Sequence, residues 1–140
     1  MFIFNKKSNY KDLISAFDSF LHAAINYRGV LEENRVSCAV STSFTVVNKV
    51  RSTVSQILDQ KFDSANKNSR KIFSRLWDRL ESIYYHCDYS CAYSTGMRMG
   101  KDNERGALNI GVNERLEELN EAIEKYEYLF SEMKKILSAG

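Results

Sequence analysis

The chain has 140 residues, of which 44% are hydrophobic, and it carries a net charge of only +2 at neutral pH. This length and apolar content suit one domain over residues 1–140, with a core that needs neither disulfides nor a structural metal. The small net charge excludes the global basic excess of a dedicated nucleic-acid binder, and a composition with no proline and only six glycines favours an all-α fold.

The first predicted helix begins near Asn9 and ends at Gly29. Asn9 followed by Asp12 is typical of a helix start, because short polar side chains accept hydrogen bonds from the free amides of a first turn. The apolar residues that follow recur at helical spacing and share one face: Leu13, Ile14, Phe17, Phe20, Leu21, Ala24 and Ile25. Gly29 then offers a stop, since glycine is common just beyond a helix end.

The second segment, from Val36 to Phe62, fits two patterns. Its apolar residues follow a helical stripe, but those between Val36 and Val46 also alternate as in a strand, and the β-branched residues favour a strand locally. A single strand would have no partner elsewhere in the chain and would leave its backbone hydrogen bonds unpaired. The sequence therefore predicts a helix here.

The polar tract from Asp63 to Ser69 predicts a turn, and a third helix follows from Ile72 to about Ser94, ending before Gly96. The stripe of this helix consists of Ile72, Phe73, Leu76, Leu80, Ile83, Cys87 and Cys91. The polar, glycine-rich segment from Gly96 to Gly106 has no clear periodicity. It is predicted to be the one long loop, before the last helix.

The fourth predicted helix begins at Asn113 and carries one apolar seam. The seam residues are Leu116, Leu119, Ile123, Tyr126, Phe130, Met133 and Leu137. Their alternating spacings of three and four are those of a coiled coil. Four long helices joined mostly by short turns predict an antiparallel up-down bundle, and the regular seam also fits pairing with a second copy of the chain as a homodimer.

Hydropathy and cysteine content bear on the location of the protein. No run of about 18 apolar residues occurs, and the segment Met1–Lys7 is too short for the apolar region of a signal peptide. Three cysteines, an odd number, argue against a secreted disulfide framework. We therefore expect a cytoplasmic protein with no membrane partner.

The three cysteines, Cys38, Cys87 and Cys91, are expected to be core residues. Cys87 and Cys91 are four residues apart and so share a helix face. The alternative is a soft-metal site in which Cys38 or His22 completes a shell begun by these two thiolates. Because both cysteines continue the apolar stripe of the third helix, we expect core packing, with no metal and no other cofactor.

Charge is unevenly distributed along the chain. Residues 61–105 hold nine basic and six acidic side chains, whereas residues 106–140 hold four basic and seven acidic ones. Because exposed ion pairs contribute about 0–1 kcal/mol each, we interpret this pattern first as a weak aid to packing between the third and fourth helices. The third helix also carries a mixture of basic and aromatic residues that is compatible with RNA or DNA contact: Arg70, Lys71, Arg75, Trp77 and Arg79. Asp78 and Glu81 interrupt this basic strip.

The leading hypothesis is a non-catalytic protein-protein interaction module, a small accessory, inhibitor or immunity-like helical bundle that binds a partner protein. Arginine and aromatic side chains dominate binding hot spots when they are exposed. The candidate partner-binding residues are therefore basic residues of the long loop and aromatic residues of the third helix: Arg98, Lys101, Arg105, Trp77, Tyr85 and Tyr89.

Arg79 and His86, separated by six residues, resemble the Arg-x4-6-His motif of the HEPN family. Leu80 stands where that family often has a small polar residue after the arginine. Members of the family are all-α domains and often metal-independent ribonucleases. The resemblance implies that Arg79 and His86 polarise an RNA phosphate and serve in acid-base catalysis of attack by the 2′-hydroxyl. The alternative function is therefore an RNA-acting protein, either a nucleic-acid binder or a HEPN-like ribonuclease.

Overall fold

A computed structural model of the chain describes residues 10–34, 37–98 and 105–139. These ranges form four helices, which we number in chain order: α1 (Lys11–Asn34), α2 (Cys38–Phe62), α3 (Lys67–Arg98) and α4 (Arg105–Ala139). The described ranges contain no strand. The prediction of an all-α fold with four long helices is therefore confirmed. The ambiguous second segment is helical from Cys38 onward, while Val36 and the predicted helix start at Asn9 lie outside the described residues.

α1 does not end at Gly29, as the sequence predicts, but continues to Asn34. A glycine in a helix interior costs about 1 kcal/mol relative to alanine. Tyr27 and Leu31 lie on either side of Gly29 along the chain, and both are fully buried. The packing of this additional turn offsets the cost of the glycine, so tertiary contacts set the helix end.

The turn between α2 and α3 is shorter than the predicted polar tract, because α3 begins directly after Asn66. The Asn66 side chain caps the new helix, since its Oδ1 accepts a hydrogen bond from the backbone N–H of Ser69 at 2.8 Å. The Arg70 guanidinium closes the turn by donating to the carbonyl oxygens of Phe62 and Asp63 at 3.0 and 2.8 Å. Asn66, which belongs to the polar tract that predicts a turn, therefore acts as a helix cap.

The predicted long loop is also shorter than expected. α3 continues past Gly96 to Arg98, and α4 already begins at Arg105. The intervening residues 99–104 lie outside the described part of the chain. Both ends of the segment predicted as a loop are therefore helical.

Asn113 lies inside α4 rather than at its start, where the sequence predicts it. Gly111 and Val112, just before it, are buried. A side chain at Gly111 would overlap the ring of Tyr93 on α3, so the glycine provides a notch that the ring fills. Packing of these residues against α3 extends α4 beyond the start predicted from its acidic first turn.

The four helices follow one another around a bundle. α1 and α3 each pack against both α2 and α4, and α1 also touches α3. Contacting pairs run in opposite order along neighbouring helices: Phe44 with Tyr84 and Phe62 with Arg70 between α2 and α3, and Phe17 with Phe130 and Arg28 with Asn120 between α1 and α4. This order is the one expected of antiparallel neighbours.

Two buried tyrosines find polar partners inside the core. The Tyr27 hydroxyl donates to the carbonyl oxygen of Cys87 at 3.0 Å and lies 2.7 Å from Oγ of Ser90. The Tyr126 hydroxyl donates to the carbonyl oxygen of Phe17 at 2.6 Å. Burial raises the pKa of both phenols, because the charged form is poorly solvated there. These bonds connect α1 to α3 and α1 to α4, and so they fix how each pair of helices is aligned along the bundle.

Candidate functional site

Two tyrosines on the outer face of α3 form an exposed aromatic surface. Tyr85 is 60% exposed and Tyr89 is 45% exposed, and their ring centroids are 6.2 Å apart. The helical repeat explains their position, because Tyr85 and Tyr89 are four residues apart and share one face, whereas Ile83, Cys87 and Cys91 lie on the opposite, buried face of α3. We define the tyrosine patch as the residues that line one cleft here: Tyr85, His86, Tyr89, Arg115 and Glu118.

Arg115 of α4 fixes one side of the tyrosine patch. Its guanidinium lies 4.5 Å from the ring centroid of Tyr89 and 5.5 Å from that of Tyr93. Its Nη1 donates to Oε1 of Glu118 at 3.2 Å, and its buried Nε has no hydrogen-bond partner in the described part of the chain. A guanidinium held between rings and a carboxylate is pre-organised, which lowers the entropy cost of meeting a partner.

His86 joins the tyrosine patch to a neighbouring groove between α3 and α4. Its ring centroid lies 5.4 Å from that of Tyr85. The groove is lined by Arg79, Ser82, His86, Glu118, Glu121, Ala122 and Lys125. The two residues of the ribonuclease-like motif, Arg79 and His86, therefore face the same groove, two helical turns or about 10 Å apart along α3.

Acidic side chains of α4 share this groove with Arg79 and His86. Glu121 pairs with Lys125 at 3.4 Å, and Glu118 pairs with Arg115 at 3.2 Å. Within the described residues, neither Arg79 nor His86 makes a side-chain hydrogen bond or ion pair. The groove thus carries both signs of charge, which disfavours the polyanionic backbone of RNA.

Both clefts are small and open to solvent. Pockets for drug-sized ligands usually measure about 300–1,000 Å³. The groove measures about 180 Å³ and the cleft of the tyrosine patch about 200 Å³. Their linings are mainly charged and aromatic, so they suit the side chains of a partner better than an enclosed cofactor.

Trp77 lies on the side of α3 that faces α2, away from the tyrosine patch. It is half-buried, and the guanidinium of Arg51 lies 5.6 Å from its ring centroid and 4.3 Å from that of Tyr84. Arg51 also donates twice to the Glu81 carboxylate, at 2.6 and 3.1 Å, and this hydrogen bonding raises the pKa of Arg51. The structure therefore places Trp77 in a contact between α2 and α3.

The three basic residues predicted for the long loop lie at or between helix ends. Arg98 is the last residue of α3 and Arg105 is the first of α4. Their side chains, and all of Lys101, are outside the described part of the structure. Of the six predicted partner-binding residues, only Tyr85 and Tyr89 are brought together on one described surface.

The cysteines do not share one environment. Cys87 and Cys91 are core residues, as predicted, and burial raises the pKa of the Cys87 thiol. The prediction is wrong for Cys38, which is exposed because it is the first residue of α2. His22 is exposed on α1, where Asp18 lies 3.6 Å away. Within residues 10–34, 37–98 and 105–139, no group of three metal-ligating side chains comes together.

Arg115, like Glu118, is a patch residue that sequence patterns missed. It belongs to an acidic segment, where its charge predicts only local pairing with Glu118 three residues later. Its contact with Tyr89 depends on how α3 and α4 are aligned, and a single sequence does not give that alignment.

No protein-family model, no curated protein and no solved structure matches this chain. Among the described residues, no helix has an apolar stretch long enough to cross a membrane. The fold and the tyrosine patch define the protein by structural class, as a four-helix bundle with an aromatic and arginine surface on α3 and α4.

Proposed function

We propose that this chain is a non-catalytic protein-binding module, and that the tyrosine patch is the centre of the surface that takes a partner protein. The observation that carries this proposal is the pair of exposed rings of Tyr85 and Tyr89 beside the fixed guanidinium of Arg115. Tyrosine and arginine are the side chains most enriched in binding hot spots, together with tryptophan.

The energetics of the patch support the same proposal. A tyrosine ring covers a large contact area and has only two rotatable side-chain bonds, so ordering it on binding costs little entropy. Arg115 is already held by Glu118 and by two rings. The ordering of Arg115 that a partner would otherwise impose is therefore already present in the unbound protein.

A stable interface buries about 800 Å² on each partner, which is more than five side chains supply. The surrounding outer faces of α3 and α4 supply the remainder in this proposal. A cytoplasmic location accompanies it, because the odd number of cysteines fits a reducing compartment.

Affinity purification from the native cell extract, with nuclease treatment, tests the proposal. The bait is the tagged protein in two forms, wild type and the double variant Tyr85→Ala with Tyr89→Ala. We expect a stoichiometric protein partner that survives nuclease and is lost from the double variant. A partner retained equally by both forms would contradict a role for the patch.

A second candidate function is RNA cleavage, and one observation favours it: Arg79 and His86 line the same groove. In this case, purified protein cleaves single-stranded RNA in the presence of EDTA, and Arg79→Ala and His86→Ala each abolish the cleavage while the helical circular dichroism signal is unchanged. Undiminished cleavage by both variants would assign any activity to a contaminant.

A further inference from the structure

A row of four basic residues runs along the outer face of α3. Lys67, Lys71, Arg75 and Arg79 are spaced four residues apart, and all four are exposed. We call this set the cationic row. It extends over three intervals of about 6 Å each, or about 18 Å in total. Rows of residues four apart are one of the ridges along which helices pack against each other.

The members of the cationic row have no ion-pair partner among the described residues, whereas three nearby glutamates have one. Glu81 is paired with Arg51, Glu118 with Arg115 and Glu121 with Lys125. Asp78, which is also exposed on α3, is the acid that falls among the row residues in sequence. The row therefore keeps a net positive charge that the fold does not neutralise.

The cationic row is continuous with the tyrosine patch. Arg79, the last member of the row, lines the groove that also contains His86 of the patch. From Lys67 to Tyr89 the outer face of α3 is thus basic in its first half and aromatic in its second half. The whole face is about 33 Å long.

We propose, resting on the function proposed above, that the partner contributes a helix that is acidic along the cationic row and apolar along the tyrosine patch. Carboxylates on successive turns of such a helix recur every three or four residues, which matches the spacing of the row. Charge complementarity then fixes which end of the partner helix meets which half of α3.

This surface distinguishes a protein helix from a nucleic acid. A nucleic-acid strand carries a negative charge on every unit, so it would place phosphates beside the acids of the aromatic half. Those acids are Asp88, which is exposed on α3, and Glu118 of the patch, whose charge is offset in part by Arg115. A protein helix avoids that repulsion because only one half of it needs to be acidic.

The probe for this proposal is a labelled, alanine-rich peptide of 24 residues, tested in both chain directions. It carries glutamate at every fourth position of one half and leucine at every fourth position of the other half. We expect the peptide to bind at low salt, as measured by fluorescence anisotropy. Changing all four residues of the cationic row to glutamine should weaken this binding about tenfold or more, since each exposed pair contributes up to about fivefold.

A control variant of equal net charge makes the test specific. It changes four lysines outside the row to glutamine: Lys11, Lys49, Lys134 and Lys135. Peptide affinity is expected to fall less than threefold in this control. Equal losses in the two variants, equal binding of a peptide with glutamine in place of glutamate, or tighter binding of a 20-nucleotide single-stranded RNA would each overturn the acidic-helix proposal.

Affinity purification of the partner from cell extract distinguishes the acidic-helix proposal from the proposed function on which it rests. A partner lost from the double tyrosine variant but retained by the row variant would refute the acidic helix and leave the tyrosine patch as the binding site. A partner retained by the double tyrosine variant would refute the proposed function itself. Loss from both variants, with retention by the equal-charge control, is the expected result.

Discussion

At the scale of single residues, Gly29 and Gly111 occupy helix interiors in two different environments. A side chain at Gly29 would meet no atom within 4 Å, so this glycine serves no packing role. A side chain at Gly111 would overlap the Tyr93 ring. Gly111 therefore leaves room for the Tyr93 ring between α3 and α4, whereas Gly29 is replaceable.

This contrast gives a paired prediction. Gly29→Ala should raise the free energy of unfolding by about 0.5–1 kcal/mol, because alanine is the better helix former. Gly111→Ala should lower it by about 1–2 kcal/mol, because the overlap with Tyr93 outweighs the same helical gain. Urea denaturation of the two variants measures both changes. Equal stabilisation by both substitutions would contradict the tight α3–α4 contact.

The buried phenols and thiol predict how stability depends on pH. Burial raises the pKa of Tyr27 and Tyr126 from 10.0 and that of Cys87 from 9.0. Above these ordinary values the unfolded chain releases protons that the folded chain retains, so the free energy of unfolding falls as pH rises. Below about pH 8 the three groups are almost wholly neutral in both states and contribute no slope.

Urea denaturation between pH 8 and 11 measures this dependence. Each group is expected to contribute a decrease of about 1.4 kcal/mol per pH unit once pH exceeds its ordinary pKa. Tyr126→Phe should make the decrease shallower above pH 10, since the variant has one phenol fewer to titrate. A free energy of unfolding that stays constant up to pH 11 would show that these groups are not buried.

At the scale of helices, periodicity predicted the four elements but not their ends. The apolar stripe of the third helix starts at Ile72, yet α3 begins five residues earlier because Asn66 caps it. Likewise α1 passes Gly29 because Tyr27 and Leu31 are buried on either side. Periodicity reports which face is buried, whereas a helix end depends on contacts that only the folded chain makes.

The cap at the start of α3 yields a prediction of its own. Asn66→Ala removes the acceptor for the Ser69 N–H and should lower the free energy of unfolding by about 1 kcal/mol. Asn68→Ala, two residues later on the exposed side of the same turn, is the matched control. It is expected to be neutral or slightly stabilising in thermal denaturation. Equal effects of the two substitutions would rule out Asn66 as the cap.

At the scale of the whole molecule, the seam of α4 is used within one chain. All seven seam residues, from Leu116 to Leu137, are between 0 and 7% exposed in the bundle. A coiled-coil pattern in a sequence does not distinguish packing within a chain from packing between chains, because both bury the same stripe. A homodimer therefore remains a prediction, and it would have to use another surface.

The candidate site was only partly predictable for a related reason. Tyr85 and Tyr89 were identified from residue type, but their exposure and the stacking of Arg115 depend on the alignment of α3 with α4. Trp77 has the same chemistry in the sequence, yet it packs beside Arg51 at the boundary with α2. Residue type suggests which side chains can bind, and only the bundle determines which of them face outward.

The measurement that tests the central claim most directly is calorimetric titration of the captured partner against three forms of the protein. These are the wild type, the double variant Tyr85→Ala with Tyr89→Ala, and Tyr128→Ala. Tyr128 is the matched control, because it is an exposed tyrosine on α4, 70% exposed, that does not line the tyrosine patch.

We predict that the double variant loses about 100-fold or more in affinity, as expected when two hot-spot rings are removed. Tyr128→Ala should change the affinity by less than about threefold and leave the unfolding temperature unchanged, because its side chain is exposed. The double variant also loses the contact of Arg115 with Tyr89, so it should unfold a few degrees lower but remain folded during the titration. Wild-type affinity in the double variant, or an equal loss in Tyr128→Ala, would contradict the tyrosine patch as the binding site.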